Sequence, residues 1–351
     1  MRLIKFPSIE QYRNVVRNVQ HKAQFAGIDE FGKPIMNRAA VLPPLIFEGT
    51  VKLHGTNASI VVSPDGEFWA QSRENVITPE KDNAGFAMFA HVNKRNFELI
   101  ADGVEAVNEV VVIYGEWCGN GIQKGVAISQ VPKMFVIFAI VLAGDDNQKI
   151  YLPREEICRI TQPHKTDQIR TIFDFPTWSK EIDFENPAMH QNELNAITKD
   201  VELECPIGKA FGVSGVGEGV IWKCVTPGYE DSRFWFKVKG EKHAASKVRT
   251  LANVDVEKLS NIQALAEQVA NNERLEQMHQ QVFDTLNGGK TDMKKMGDFI
   301  KAVMADTFKE EIDLIAASGF TGNELIVPVS RICKRFISGK MEPVERLVMQ
   351  H

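Results

Sequence analysis

From residue 45 to about 240, apolar positions come in short runs, with charged residues breaking in at a spacing of two. The runs "VVVIYGEW", "MFVIFAIVL", "GVIWKCV" and "RFWFKVKG" are rich in β-branched and aromatic residues and predict strands. "ASIVVSPDGEFWAQS" predicts a hairpin, with Pro64, Asp65 and Gly66 as the turn between two apolar segments. Residues 84–107, "AGFAMFAHVNKRNFELIADGVEAV", repeat apolar residues at three and four and predict a helix. Strand and helix do not alternate regularly, which argues against a doubly wound parallel sheet. The pattern predicts an α+β domain of antiparallel β-sheets with flanking helices.

After about residue 250 the period changes. Residues 255–287 repeat Leu, Ile, Ala and Val at helical spacing until Asn287, Gly288 and Gly289 break the pattern. A second helical stretch runs from Thr291, a candidate cap, to Gly319, a stop; a third, "TGNELIVPVSRICKRFISGK", invites a kink at Pro328. Two domains are expected, 1–249 with the sheets and 250–351 all helical. The total of 351 residues agrees, at about 150 per domain.

Composition narrows the class without naming the chemistry. Hydrophobic and charged fractions of 44% and 25% are those of a soluble globular chain. A net charge of −5 excludes a wholly basic surface, so any phosphate-binding site must be a local patch on an acidic body. The five cysteines are widely spaced with no C-x-x-C pair, which points to free thiols rather than a zinc site or disulfide framework. The longest apolar run, 134–144, is too short to span a bilayer, and the first residues lack a secretory h-region. A cytoplasmic protein, cellular or viral, is expected.

Within that frame, "TVKLHGTNASIV" (50–61) is unusual. In an extended segment side chains alternate, so Lys52 and His54 point one way while Val51 and Leu53 point the other. Gly55 then permits a turn or the close approach of a ligand. A lysine amine acts as a nucleophile when desolvation or a nearby cation lowers its pKa. Later, "FWFKVKG" sets Lys237 and Lys239 on one strand face, opposite Phe236 and Val238. Two such lysines either guard a wet edge or share an anion such as a triphosphate. Glu116 follows a strand-like run beside the glycine-rich "WCGNGIQKG", and Glu218 sits in "GVGEGVIWK". Each could pair with a surface lysine, or serve a divalent metal carried by a nucleotide. "GVSGVGEG" lacks the G-K-[ST] ending of a P-loop, and a strand follows it, which excludes that motif.

The ordered set K-x-H-G, S-R, G-E-W-C-G, an apolar strand with Phe138, E-G-V-I-W-K and F-K-V-K-G resembles the covalent nucleotidyltransferases. It is most similar to the ATP-dependent RNA ligases of the phage RNA ligase 2 and kinetoplastid RNA-editing type. "KLHGTN" and "GEWCGNGIQKGV" carry most of the likeness, which covers Lys52 to about Lys247. The resemblance implies an ATP-grasp-like nucleotidyltransferase domain followed by a helical C-terminal domain. It implies sealing of 3'-OH and 5'-phosphate RNA ends through a lysyl-AMP and an RNA-adenylate.

Lys52 is then the nucleophile. Lys237, Lys239 and Glu218 complete the catalytic set, with Glu218 holding Mg2+ or Mn2+, directly or through water. His54, Gly55, Asn57, Arg73, Glu116 and Phe138 bind the nucleotide, Phe138 by stacking on adenine. ATP is consumed, the partner is RNA, in the first place a nicked duplex, no membrane is involved, and a monomer is expected. Val51 and Ala139 depart from the resemblance, standing where related ligases often have acidic residues. A DNA ligase or capping guanylyltransferase is disfavoured by His54 and by Asn57, where those enzymes carry arginine. A binding protein on a catalytically dead fold is disfavoured by the intact charged set.

Overall fold

The computed structural model describes residues 1–105, 109–144, 149–240, 262–285 and 288–340. The chain forms two compact units, 1–242 and 243–351. The boundary expected between 249 and 250 lies outside the described residues.

The first unit begins with β1 (Glu10–Gln11), α1 (Tyr12–Gln24), β2 (Phe25–Ile28) and β3 (Pro34–Met36). Then come β4 (Leu45–Lys52), β5 (Thr56–Val62), β6 (Phe68–Ser72) and β7 (Val76–Ile77), followed by α2 (Phe86–Val92) and α3 (Lys94–Asp102). The middle of the unit is β8 (Val110–Cys118), β9 (Met134–Ala143), β10 (Lys149–Tyr151), α4 (Arg154–Thr161), β11 (Ile169–Thr171) and β12 (Thr177–Ile182). It closes with α5 (Pro187–Leu203), α6 (Pro206–Ala210), β13 (Gly219–Cys224) and β14 (Trp235–Lys239).

The expected α+β class holds. One sheet has the order β1-β14-β13-β4-β12; the other runs β10-β9-β8-β5-β6-β7, with β11 added beside β9. The sheets are not wholly antiparallel, because β1 pairs with β14, and β11 with β9, in parallel. The predicted hairpin forms between β5 and β6 around Ser63–Glu67. The single helix expected over 84–107 is two. Asn93 leaves helical geometry (φ −98°, ψ 15°), and its side-chain amide donates to the Phe89 carbonyl, which ends α2.

Alternation along β4 explains the layering. Phe47, Val51 and the neighbouring Val220, Trp222 and Phe236 turn into one apolar cluster, while Glu48, Thr50 and Lys52 face the other way. The second sheet buries Ile60, Ile113 and Ile140 under α2, α3 and α4. Its opposite face carries Val61, Val112, Tyr114 and Val141, on which Ile4 packs.

The second unit contains α7 (Ile262–Val269), α8 (Asn272–Phe283), α9 (Met296–Ala317) and α10 (Gly322–Lys340) around its own apolar cluster. Asn271 interrupts the long first repeat: its side chain accepts the Arg274 amide at 3.0 Å and starts α8. Thr291 is not a cap. Its hydroxyl bonds His279 Nε2 at 2.8 Å, and Asp292 caps the turn leading into α9 instead. Gly319 follows the end of α9 as expected, but α10 continues through Pro328, and the break in helical geometry falls at Glu311 of α9. There the Glu311 carboxylate takes the fully buried Arg274 at 3.0 Å, and Asp306 takes it at 2.7 Å, so the buried guanidinium is paired.

Candidate active site

Strand register builds the site. Gly219 of β13 stands between Lys52 of β4 and Lys239 of β14; one rung along, Ile221 stands between Thr50 and Lys237. A third rung sets Lys223 between Glu48 and Trp235. All nine residues share the sheet face that points away from the apolar cluster, because side chains two apart on a strand point the same way. Gly219 lets the first rung pair closely. Its φ is +148°, and a Cβ there would lie 2.2 Å from the Val238 carbonyl oxygen.

Glu218, only 3% exposed, gathers the charges of that rung. Its Oε2 lies 2.7 Å from Lys52 Nζ and 3.3 Å from His54 Nδ1, and its Oε1 lies 3.2 Å from Lys239 Nζ. Burial alone would raise the Glu218 carboxyl, but the two ammonium groups and His54 outweigh it and hold it well below the usual carboxylate range. Burial lowers the Lys52 ammonium, Glu218 pulls it back up, and Lys239 pushes it down again; the net direction is down. A half-buried amine so placed is a better nucleophile than a surface lysine.

His54 is not part of a strand, contrary to the simple alternation: β4 ends at Lys52, and residues 53–55 link it to β5. It reaches the same carboxylate from that link. Gly55 is clamped there. Its N–H donates to Glu116 Oε1 at 3.0 Å, its carbonyl accepts from Gln123 Nε2 at 3.2 Å, and a Cβ would meet the Trp117 carbonyl oxygen at 2.4 Å. Glu116 is therefore within the strand β8 rather than at its tip, and burial raises its carboxyl to about 7. Asn57 pairs with Glu116 across β5 and β8, which sets both side chains on one face.

Phe138 occupies a bulge: Tyr114 opposes Ala139 and Gly115 opposes Ile137, leaving Phe138 as the extra residue of β9. The bulge turns its ring toward Phe6, with centroids 5.0 Å apart. Arg73 is the outlier of the predicted set. It is exposed, 3.4 Å from the Ser8 hydroxyl and 3.8 Å from Glu74.

Two elements went unread in the sequence. Residues 1–44 suggest nothing beyond packing, yet the Ile4 N–H donates to the side-chain oxygen of Gln71 on β6, and the Ile4 carbonyl accepts from the Gln71 amide and the Tyr114 hydroxyl, which carries Phe6 against Phe138 and Trp235. Lys223 ends the motif E-G-V-I-W-K without an assigned role. Its only signal was the spacing of two and four from Ile221 and Gly219, which is visible once β13 is known to lie between two lysine-bearing strands.

Among the described residues no three His, Cys, Asp or Glu side chains converge on a metal site. Both Glu218 oxygens already take ammonium groups, so a divalent ion fits here only if most of its oxygen ligands come from phosphate and water. The donor set suits an ion that arrives with a nucleotide. No helix among the described residues is long and apolar enough to cross a membrane.

Three structures of Naegleria gruberi RNA ligase are similar: a mutant with AMP and Mn, the form with PPi, and a mutant with ATP and Mn. Each is 18% identical with a TM-score of 0.43, over 68% of this chain and 56%, 56% and 57% of theirs. The chain thus spans little more than half the length of those ligases. Among curated proteins none matches the chain by sequence. The family model for RNA ligase matches residues 46–239, more than half of the chain and the whole of the lysine–carboxylate cluster, so this protein belongs to the RNA ligase family.

Proposed function

We propose that the protein is an ATP-consuming RNA ligase in which Lys52 is the nucleophile. One observation carries the reading: a half-buried lysine 2.7 Å from a buried carboxylate that a second lysine also contacts, inside the segment matched by the RNA ligase family. Lys52 Nζ attacks the α-phosphorus of ATP; the N–P bond forms, the bond to the bridging oxygen breaks, and pyrophosphate leaves. Splitting one hard displacement into several easier ones is the gain of covalent catalysis. AMP then passes from Lys52 to an RNA 5'-phosphate, and a 3'-hydroxyl displaces it to close the phosphodiester.

Lys239 and Lys237 neutralise charge on the phosphate oxygens, and Lys239 helps keep Lys52 unprotonated. Glu218 orients Lys52 and His54 before the nucleotide enters. Through water, Glu218 would also hold Mg2+ or Mn2+, which supplies Lewis-acid stabilisation of phosphate charge when bound. Asn57, Glu116 and Arg73 serve the ribose and its phosphate, Arg73 after moving inward from its exposed position, and Phe138 serves the base. The helical unit guides RNA in the later steps, the substrate is a nicked duplex, and the ligase acts as a monomer.

Incubation with α-labelled ATP tests this directly. Label should appear on the chain, discharge on adding pyrophosphate, and vanish in Lys52→Ala. Label that survives Lys52→Ala, or none from any nucleotide, overturns the reading.

A further inference from the structure

We infer that Arg2, Lys5 and Lys149 form a phosphate-binding pocket, away from the nucleotide site, that takes one backbone phosphate of the RNA duplex. The inference rests on RNA being the substrate, and the experiment below separates the two. Strand pairing places the pocket. Lys149, the first residue of β10, is the partner of Ala143 on β9, and Ala143 in turn opposes Val110 of β8. Side chains two apart on a strand share a face, so Lys149 stands on the face of the second sheet that also carries Tyr114 and Glu116. Six residues of β8 lead from Val110 to Glu116, about 20 Å at strand rise. Ile4 anchors the N-terminal segment to the same face through Gln71 and the Tyr114 hydroxyl, which brings Arg2 and Lys5 to the end of β9.

With Ala143 and Gly144, the three cations line a cavity of about 120 Å³. That is below the range of about 300–1,000 Å³ taken by small organic ligands, and it suits a single oxyanion. Backbone carbonyls hold two of the cations in place: Arg2 Nη2 donates to Gly144 at 3.4 Å, and Lys149 Nζ donates to Lys5. A guanidinium and an ammonium each have further N–H donors to offer a ligand. Neither Arg2 nor Lys149 has a carboxylate partner among the described residues, whereas Lys5 is tied to Glu74. Burial lowers the Lys149 ammonium. Cations gathered at one hollow repel, and an anion between them removes the repulsion while accepting charge-assisted hydrogen bonds. A phosphodiester brings one negative charge and its non-bridging oxygens. The pocket shares its sheet face with Glu116, so a duplex with its nick at Lys52 reaches it after about six base pairs, at about 3.4 Å each along the axis. It is the kind of local basic patch that a chain of net charge −5 needs in order to hold a nucleic acid.

Salt dependence of binding gives the test, on the full-length protein and a nicked RNA duplex with arms of about twelve base pairs, twice that span. In Lys149→Gln the slope of log K against log salt concentration should be less negative by about 0.9, the share of one duplex phosphate, while self-labelling from ATP is unchanged. Arg2→Gln, at an exposed position, should do the same and keeps the test open should the first variant fail to fold. Shortening one arm to about four base pairs, less than the span, should erase the difference between variants and unmodified protein. Contacts that only strap down the N-terminal segment would lower stability without moving the slope, so an unchanged slope in both variants overturns the site. A difference that persists with both arms short also overturns it. So does inorganic phosphate that binds saturably and is not displaced by RNA, which would assign the pocket to a free anion. Absence of salt-dependent RNA binding by the unmodified protein is a different result. It removes the RNA reading, and this site with it.

Discussion

At the scale of single residues, the candidate site keeps acidic groups under opposite constraints. Glu218 is surrounded by cations and stays ionised; Glu116, one strand layer away, is raised by burial from 4.5 to about 7 although Lys52 and Arg73 pull it down. A carboxyl whose pKa is higher in the folded chain than in the unfolded one holds its proton more tightly when folded. Its contribution to stability is complete below about pH 4.5 and is lost as pH rises through 7. Gln at this position keeps an oxygen for the Gly55 N–H and cannot ionise. Glu116→Gln is therefore expected to unfold at similar denaturant concentrations to the unmodified protein near pH 4.5, and to be more stable by about 2–3 kcal/mol at pH 8. Denaturation curves at the two pH values check this; a gap between the proteins that does not widen with pH would show that burial does not govern Glu116.

At the scale of the element, three strands do what no single motif does. β4, β13 and β14 set Lys52, Gly219 and Lys239 in one rung, where Glu218, the residue before Gly219, is shared by the two lysines, and Gly219 lets β13 pair closely with Val238 of β14. Gly219→Ala should strain a left-handed backbone position and push β13 away from Val238, at about 1–3 kcal/mol. A lower melting temperature is expected together with a loss of Lys52 labelling larger than the loss of folded protein. Labelling that simply tracks the folded fraction would mean that rung spacing does not matter. This also explains which parts were legible in the sequence. Lys52, Lys237, Lys239 and Phe236 could be placed because alternation along one strand assigns faces by itself. Lys223 and Phe6 could not, since their position depends on which strands are neighbours and on the N-terminal segment returning across the second sheet to Gln71 and Tyr114. Polarity alone misleads at Thr291 for a related reason: the side chain that reaches a free backbone N–H there is that of Asp292, while the Thr291 hydroxyl bonds His279.

At the scale of the molecule, every apolar cluster among the described residues closes within one unit. The clusters around Phe47, Ile113 and Val112 draw only on residues of 1–242, and the cluster around Phe299 only on residues of the helical unit. Each unit thus buries its own core, the condition for folding alone. The entire lysine–carboxylate cluster lies in the first. Exposed cations lie on the second: Arg331, Lys334 and Arg335 follow one face of α10, while Lys340 is paired with Glu276. If attachment of AMP needs only the sheets, and the later steps need RNA held by further cations, removal of the helical unit should separate the two activities. A fragment ending at residue 249 should take label from ATP at a rate close to that of the full chain. Its sealing of a nicked duplex should fall by about tenfold or more, as expected when several phosphate contacts are lost. The RNA-adenylate should not accumulate in place of product, because capture of the RNA, not closure alone, would be impaired. Sealing by the fragment at the full rate would confine RNA recognition to the first unit; loss of labelling as well would mean that the helices take part in nucleotide attachment.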